Sequence, residues 1–117
     1  MKHTKIKDAV VIDVSPSLDI SNAQQFKDWV RREFIEKGEK KIILDFSNVK
    51  SIDSYALGVF IALQKSLSPE GGKIIVASPS DSIRRILEIT SLDRILTVTD
   101  SLDEALEVRL DENSDRE

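Results

Sequence analysis

The chain has 117 residues, 40% of them hydrophobic and 32% charged, which is the size and make-up of one folded domain. The formal charge is −4, and −3 of it falls on residues 111–117, so the body is nearly neutral and carries no basic stripe for nucleic acid. There is no cysteine, which excludes disulfides, thiol catalysis and cysteine-held metal and suits a reducing cytoplasm.

No apolar run approaches the ~20 residues needed to span a bilayer. The opening stretch, MKHTKIKDAVVIDV, is too short in its apolar part and too soon interrupted by Asp13 to read as a secretory leader. Aromatic residues make up 5%, leaving few platforms on which single-stranded bases could stack.

Residues 9–14 (AVVIDV) are β-branched and apolar and predict a strand, with a short partner strand around residues 5–7. Ser15-Pro16-Ser17 breaks it, because Pro16 has no amide donor for a ladder. A first helix is expected from Ser21, with Ser21 and Gln24 as a capping box and Gly38 as the stop. Ala23, Phe26, Val30 and Phe34 form its apolar stripe, and Trp29 reads as a partly covered rim residue.

Residues 41–46 (KIILDF) predict the next strand, and 47–53 a connecting loop. From Ser54 the spacing turns helical through Ala56, Val59, Phe60, Leu63 and Leu67, ending at the turn cluster Ser68-Pro69-Glu70-Gly71-Gly72. Residues 73–77 (KIIVA) form a third core strand. Ser78-Pro79-Ser80 opens a helix carrying Ile83, Ile86 and Leu87, and residues 95–98 (ILTV) form the last strand. Ser101 and Glu104 make a second capping-box candidate before a short helix through Leu102, Ala105, Leu106 and Val108. The domain is expected over 1–110, with an acidic, disordered tail over 111–117. Strands alternating with helices imply βαβ crossovers: an α/β domain whose central, mostly parallel but mixed sheet is covered by about four helices.

Most site chemistry is missing. His3 is the only histidine and sits at a terminus expected to be mobile, so neither a histidine-based triad nor a zinc site is supported. Neither phosphate-binding glycine fingerprint occurs, and Gly71-Gly72 leads into a strand rather than a helix. Asp13, Asp45 and Asp53 invite comparison with a response-regulator receiver. However, the first strand runs into Ser15-Pro16 instead of an acidic pair, and no lysine follows the last strand. No cofactor and no metal are expected.

The informative stretch is V-K-S-I-D-S-Y-A-L-G-V-F, residues 49–60. A strand ends, a loop turns, and a helix begins near Ser54, whose hydroxyl is a fitting N-cap while Asp53 adds negative charge at the positive end of the helix dipole. Read alone, Ser54 is better explained as a cap and Asp53 as a dipole partner. Gly58 weakens a helix by ~1 kcal/mol relative to alanine, which points to close packing by a neighbour or close approach by a partner.

D-S-Y-A-L-G-V-F after K-I-I-L-D-F resembles the D-S-[small]-G-L-G-V-[apolar] signature of STAS domains, and more narrowly of bacterial anti-sigma factor antagonists. V-V-I-D-V with S-L-D, G-G-K-I-I-V-A-S-P-S and S-I-R-R-I-L-E-I-T-S-L-D-R-I-L resemble further segments of that family, so the likeness covers nearly the whole chain. It implies a STAS-type fold and a cytoplasmic, non-enzymatic regulator, monomeric by the family's habit. The implied mechanism is partner switching. The unmodified protein binds an anti-sigma factor, usually a serine kinase with a histidine-kinase-like ATPase fold, and so frees a sigma factor. The kinase phosphorylates the serine after the aspartate, here Ser54, and a PP2C-type phosphatase reverses this. Asp19, Asp53, Ser54, Tyr55 and Gly58 are the implied partner-binding residues; Asp19 reads equally as a turn residue bonding its own backbone.

Tyr55 and Ala56 stand where the family has a small residue and a glycine, and Pro16 stands where a loop glycine is common. Tyr55 and Ala56 motivate the alternative, a STAS scaffold or sensor module in a larger signalling assembly whose Ser54 is never phosphorylated. A third reading, a small phosphate- or nucleotide-binding enzyme, lacks an active-site set.

Overall fold

A computed structural model describes residues 1–14 and 16–110. The expected acidic tail, and Ser15 of the strand-breaking triplet, lie outside the described residues.

Strands β1 (His3–Ile6) and β2 (Ala9–Asp13) form a tight antiparallel hairpin that pairs His3 with Ile12 and Ile6 with Ala9. All later pairings in the main sheet are parallel. β4 (Lys41–Asp45) lies against β2, β6 (Lys73–Ala77) against β4, and β7 (Thr97–Thr99) against β6, giving the order β1-β2-β4-β6-β7. The sheet is therefore mixed and mostly parallel, as the alternating pattern predicts. Helices α1 (Ala23–Val30), α2 (Ser54–Leu67), α3 (Asp81–Ile89) and α4 (Leu102–Glu107) supply the four expected covers.

The period-2 geometry of a strand sends alternate side chains to opposite faces. Val10, Ile12, Ile42, Leu44, Ile74 and Val76 share one core with Phe26, Phe60, Leu63, Ile83 and Leu87 of the first three helices. Val11, Ile43, Ile75 and Ala77 face the other way, into a smaller core closed by Ala105 of α4. Each fully buried aliphatic side chain contributes about 1.5–3 kcal/mol relative to exposure, which is why the uninterrupted IIL and IIV runs hold the centre.

Several local details differ from the pattern in the sequence. The Ser21–Gln24 capping box does not form. The helix begins at Ala23 with Asn22 as its N-cap residue, because the Ser21 hydroxyl is taken by the stronger carboxylate acceptor of Asp19. Beyond Val30 the helix widens into a π-turn, Arg31–Ile35, and stops at Gly38, whose φ of 96° favours glycine, as expected. The loop read over 47–53 contains β5 (Ser51–Ile52), which pairs in parallel with β3 (Ser17–Leu18) as a separate two-stranded sheet. Two residues are too few to show a period.

The last strand begins at Thr97 rather than residue 95, because a 3₁₀ turn, Leu92–Arg94, carries on through a Leu96 N–H bond to the Leu92 carbonyl of 2.8 Å. Ser101 caps α4 by accepting from the Glu104 amide at 3.1 Å, but Glu104 reaches back to the Asp100 amide rather than to that of Ser101. His3 is not at a loose end either. It belongs to β1, and its pairing with Ile12 turns the ring toward the helices, edge-on to Trp29 (5.6 Å between centroids) and Phe34 (5.1 Å). Trp29 is partly covered there, as expected of a rim residue.

Two polar devices fix the ends of the layers. Gln64 is buried on α2; its amide donates to the Gly72 carbonyl at 3.1 Å and its oxygen accepts from the Ile74 amide at 2.8 Å. Gly72 has no alternative there, since a Cβ would sit 2.7 Å from the Lys40 carbonyl oxygen. On the other face, Lys41 is only 2% exposed, and its ammonium donates to the Leu106 carbonyl at 2.7 Å and to that of Val108. A cation at the carboxyl end of a helix meets the negative end of its dipole.

Lys41→Met keeps the apolar stem and removes these charged bonds. Urea unfolding should show a stability loss of about 2 kcal/mol, with α4 amides exchanging faster than those of β4.

Candidate functional site

The three central strands end level, with Asp13 beside Asp45 and Asp45 beside Ala77. In open α/β sheets this carboxyl edge is where binding groups gather. The chain leaves β4, pairs β5 with β3, and enters α2 at that edge, which places Ser54 at the first helical position.

The N-cap of α2 is Asp53, not Ser54. Asp53 is extended (φ −115°, ψ −179°), and its Oδ1 accepts from the Ala56 amide at 3.0 Å. Aspartate is as good an N-cap as serine, and its charge is favoured at the positive end of the helix. The Ser54 side chain is thereby left exposed at the helix mouth.

The second oxygen of Asp53 reaches the other loop of the site. Oδ2 accepts from the Ile20 amide at 3.0 Å, and the Asp53 amide donates to the Leu18 carbonyl at 3.3 Å. The S-L-D loop is held in turn by its own polar groups. Asp19 Oδ1 accepts from the Ser21 amide at 2.9 Å and from the Ser21 hydroxyl at 2.5 Å. Asn22 accepts from the Asp19 amide at 2.9 Å and donates to the Ser17 carbonyl at 3.1 Å. The geometry thus gives Asp19 its turn role outright. The Ser21 hydroxyl, and then the Ser21 amide, hold the Asp19 carboxyl below its ordinary value of 3.8 and keep it charged beside the helix mouth.

Tyr55 is 40% exposed, and its hydroxyl donates to Gln24 of α1 at 3.1 Å, so the ring leans across the gap between the two helices. Ala56, by contrast, is fully buried. Gly58 lies one turn after Ser54 on the same face. A Cβ there would meet nothing within 4 Å, so packing by a neighbour within the chain does not explain this glycine. Asp19, Asp53, Ser54 and Tyr55 therefore meet around one loop-and-helix mouth, with Gly58 open below it.

Two members of this surface are not readable from the motif. Ile20 is 71% exposed, and Gln24 anchors Tyr55. An apolar residue stranded in the polar run D-I-S-N is the one signal that marks Ile20. Among the described residues no group of three or more His, Asp or Glu side chains is placed to hold a metal ion, and no helix is long and apolar enough to cross a membrane. An open polar cleft of about 560 Å³, lined by Gln64, Lys73 and Arg94 among others, lies at the amino end of β6, away from Ser54.

Comparison with known proteins gives a consistent picture. The sequence profile of the STAS domain matches residues 1–105. A Thermotoga neapolitana protein named as a candidate anti-sigma factor antagonist is 45% identical over 102 residues, covering 87% of this chain and 90% of that one. The anti-sigma-B factor antagonist of Staphylococcus aureus is 27% identical over 89 residues, 76% of this chain and 82% of its own. The crystal structure of a candidate anti-sigma factor antagonist from Thermotoga maritima superposes with a TM-score of 0.85 at 41% identity, covering 91% of each chain.

Ser21→Ala removes the hydroxyl bond to Asp19, and NMR titration should show the Asp19 carboxyl rising toward its ordinary 3.8. Because folding depresses this group, its contribution to stability is present above the unfolded value and is lost as pH falls through the folded one. The variant should therefore differ from the parent least at strongly acidic pH.

Proposed function

The chain belongs to the STAS domain family, and from that premise we propose that it is an anti-sigma factor antagonist switched by phosphorylation of Ser54. One observation carries this reading. The Ser54 hydroxyl stands exposed at the first position of α2, released from capping by Asp53 and flanked by an open Gly58. A hydroxyl so placed is within reach of a kinase and at the centre of a surface that a partner can cover.

In this reading the protein acts by binding and catalyses nothing. The unmodified chain, a monomer in the cytoplasm, docks on an anti-sigma factor that is also a serine kinase, and a sigma factor is freed. Phosphorylation adds about −1.5 to −2 charge at Ser54. The amides of the first turn of α2 tolerate that charge locally. It adds to the carboxylates of Asp19 and Asp53 in the same mouth, and it puts bulk where the partner had fitted a hydroxyl. A loss of a few kcal/mol then suffices for release, since ~1.4 kcal/mol is a factor of ten in affinity. A PP2C-type phosphatase restores the binding form.

The names of the Thermotoga and Staphylococcus relatives support the antagonist role. Pull-down with the serine-kinase anti-sigma factor of the same organism tests the switch. The unmodified chain and Ser54→Ala should bind alike. Ser54→Asp should bind at least about tenfold more weakly, and only the parent should gain one phosphate by intact mass. Equal binding by all three ends the switch. Binding with no phosphate gained by the parent leaves the STAS scaffold as the better account.

A further inference from the structure

The Asp53 carboxylate has two oxygens, and each is committed to a different element. Oδ1 takes the Ala56 amide of α2 and Oδ2 takes the Ile20 amide, 33 residues earlier in the chain. The first bond is an ordinary helix cap. The second is not needed to start α2. It fixes the backbone of a loop residue whose side chain is 71% exposed. A lone exposed aliphatic residue is unremarkable on a protein surface. One whose amide is held by a charge-assisted bond to the residue preceding Ser54 is in a different position, because its place relative to that hydroxyl is set.

We propose that Asp53 is a positioning residue that holds Ile20 beside Ser54 as the apolar anchor for the protein partner. This rests on the antagonist reading above and names the part of the surface that carries affinity. The occupant is the protein partner of that reading, which meets this mouth with an apolar pocket. Ile20 and the half-exposed Tyr55 supply the apolar area, and the Asp19 and Asp53 carboxylates hold the loop that carries Ile20. Pre-set position reduces the ordering cost of docking, so a small fixed side chain contributes more than a mobile one of equal area.

Asparagine separates the two tasks of Asp53. It is as good an N-cap as aspartate, so its carbonyl oxygen can keep the Ala56 bond. Its other terminal group is an NH₂, a donor that faces the Ile20 N–H and cannot accept from it. In hydrogen exchange followed by NMR, Asp53→Asn should speed exchange of the Ile20 amide by at least about tenfold and leave that of Ala56 nearly unchanged. Unchanged Ile20 exchange overturns the positioning role. In binding to the purified serine-kinase anti-sigma factor, Ile20→Ala should lose at least about tenfold and Asp53→Asn several-fold. Ile20→Ala binding like the parent overturns the anchor while leaving the antagonist reading intact. If the parent itself fails to bind the kinase, the antagonist reading and the anchor fall together, and amide exchange alone then decides whether Asp53 holds Ile20.

Discussion

Parallel pairing in strict register is the constraint from which the rest of the structure follows. Ala9, Lys41 and Lys73 start level, and Asp13, Asp45 and Ala77 end level. Parallel strands need crossovers, so every connection between them must carry a helix or a turn back across a face of the sheet. Burial on both faces forces the continuous apolar runs and leaves polar residues only at strand ends. Asp13 and Asp45 mark one such end and Lys41 and Lys73 the other. The loops that present Asp19, Ile20 and Ser54 emerge from the aspartate end, and the turn locked by Gln64 and Gly72 closes the lysine end.

The choice of hydrogen-bond acceptors then settles the details. At two places a carboxylate takes over from a serine, whereas Ser80 and Ser101 keep their caps on α3 and α4. Asp53 displaces Ser54 as the cap of α2, and Asp19 draws Ser21 away from α1. The consequence at α2 is specific. Had Ser54 been the cap, its hydroxyl would be occupied by the helix amides; with Asp53 in that role it is exposed to solvent.

Much of the fold is legible in the residues. The runs at 41–46 and 73–77 could be little other than buried strands, and the apolar spacing from Ala56 to Leu67 names the inward face of α2 residue by residue. What the sequence hides is set by contacts between distant segments. The Ser17–Leu18 and Ser51–Ile52 pair is too short for any period, and neither half exists without the other. His3 looks like a terminal residue until strand pairing places it against Trp29 and Phe34. The start of the last strand depends on whether Ile95 and Leu96 extend or complete a turn, which local propensity does not decide. At the candidate site, the motif brings Asp53, Ser54, Tyr55 and Gly58 together because they lie within the N-cap and first turns of one helix. The S-L-D loop arrives through the Asp53–Ile20 bond, a link between a side chain and a distant backbone that no spacing rule reveals.

Gly58 shows how the surface and the stability of this domain are in tension. It occupies the middle of a helix, where glycine is less favourable than alanine by about 0.8–1.0 kcal/mol, and no neighbour within the chain needs its missing side chain. A sequence optimised for thermal endurance would fill that vacancy at no steric cost to the isolated fold. Keeping it empty one helical turn from Ser54 is an investment in what the domain touches, so attempts to toughen this protein by consensus helix-strengthening would meet their trade-off at this position first.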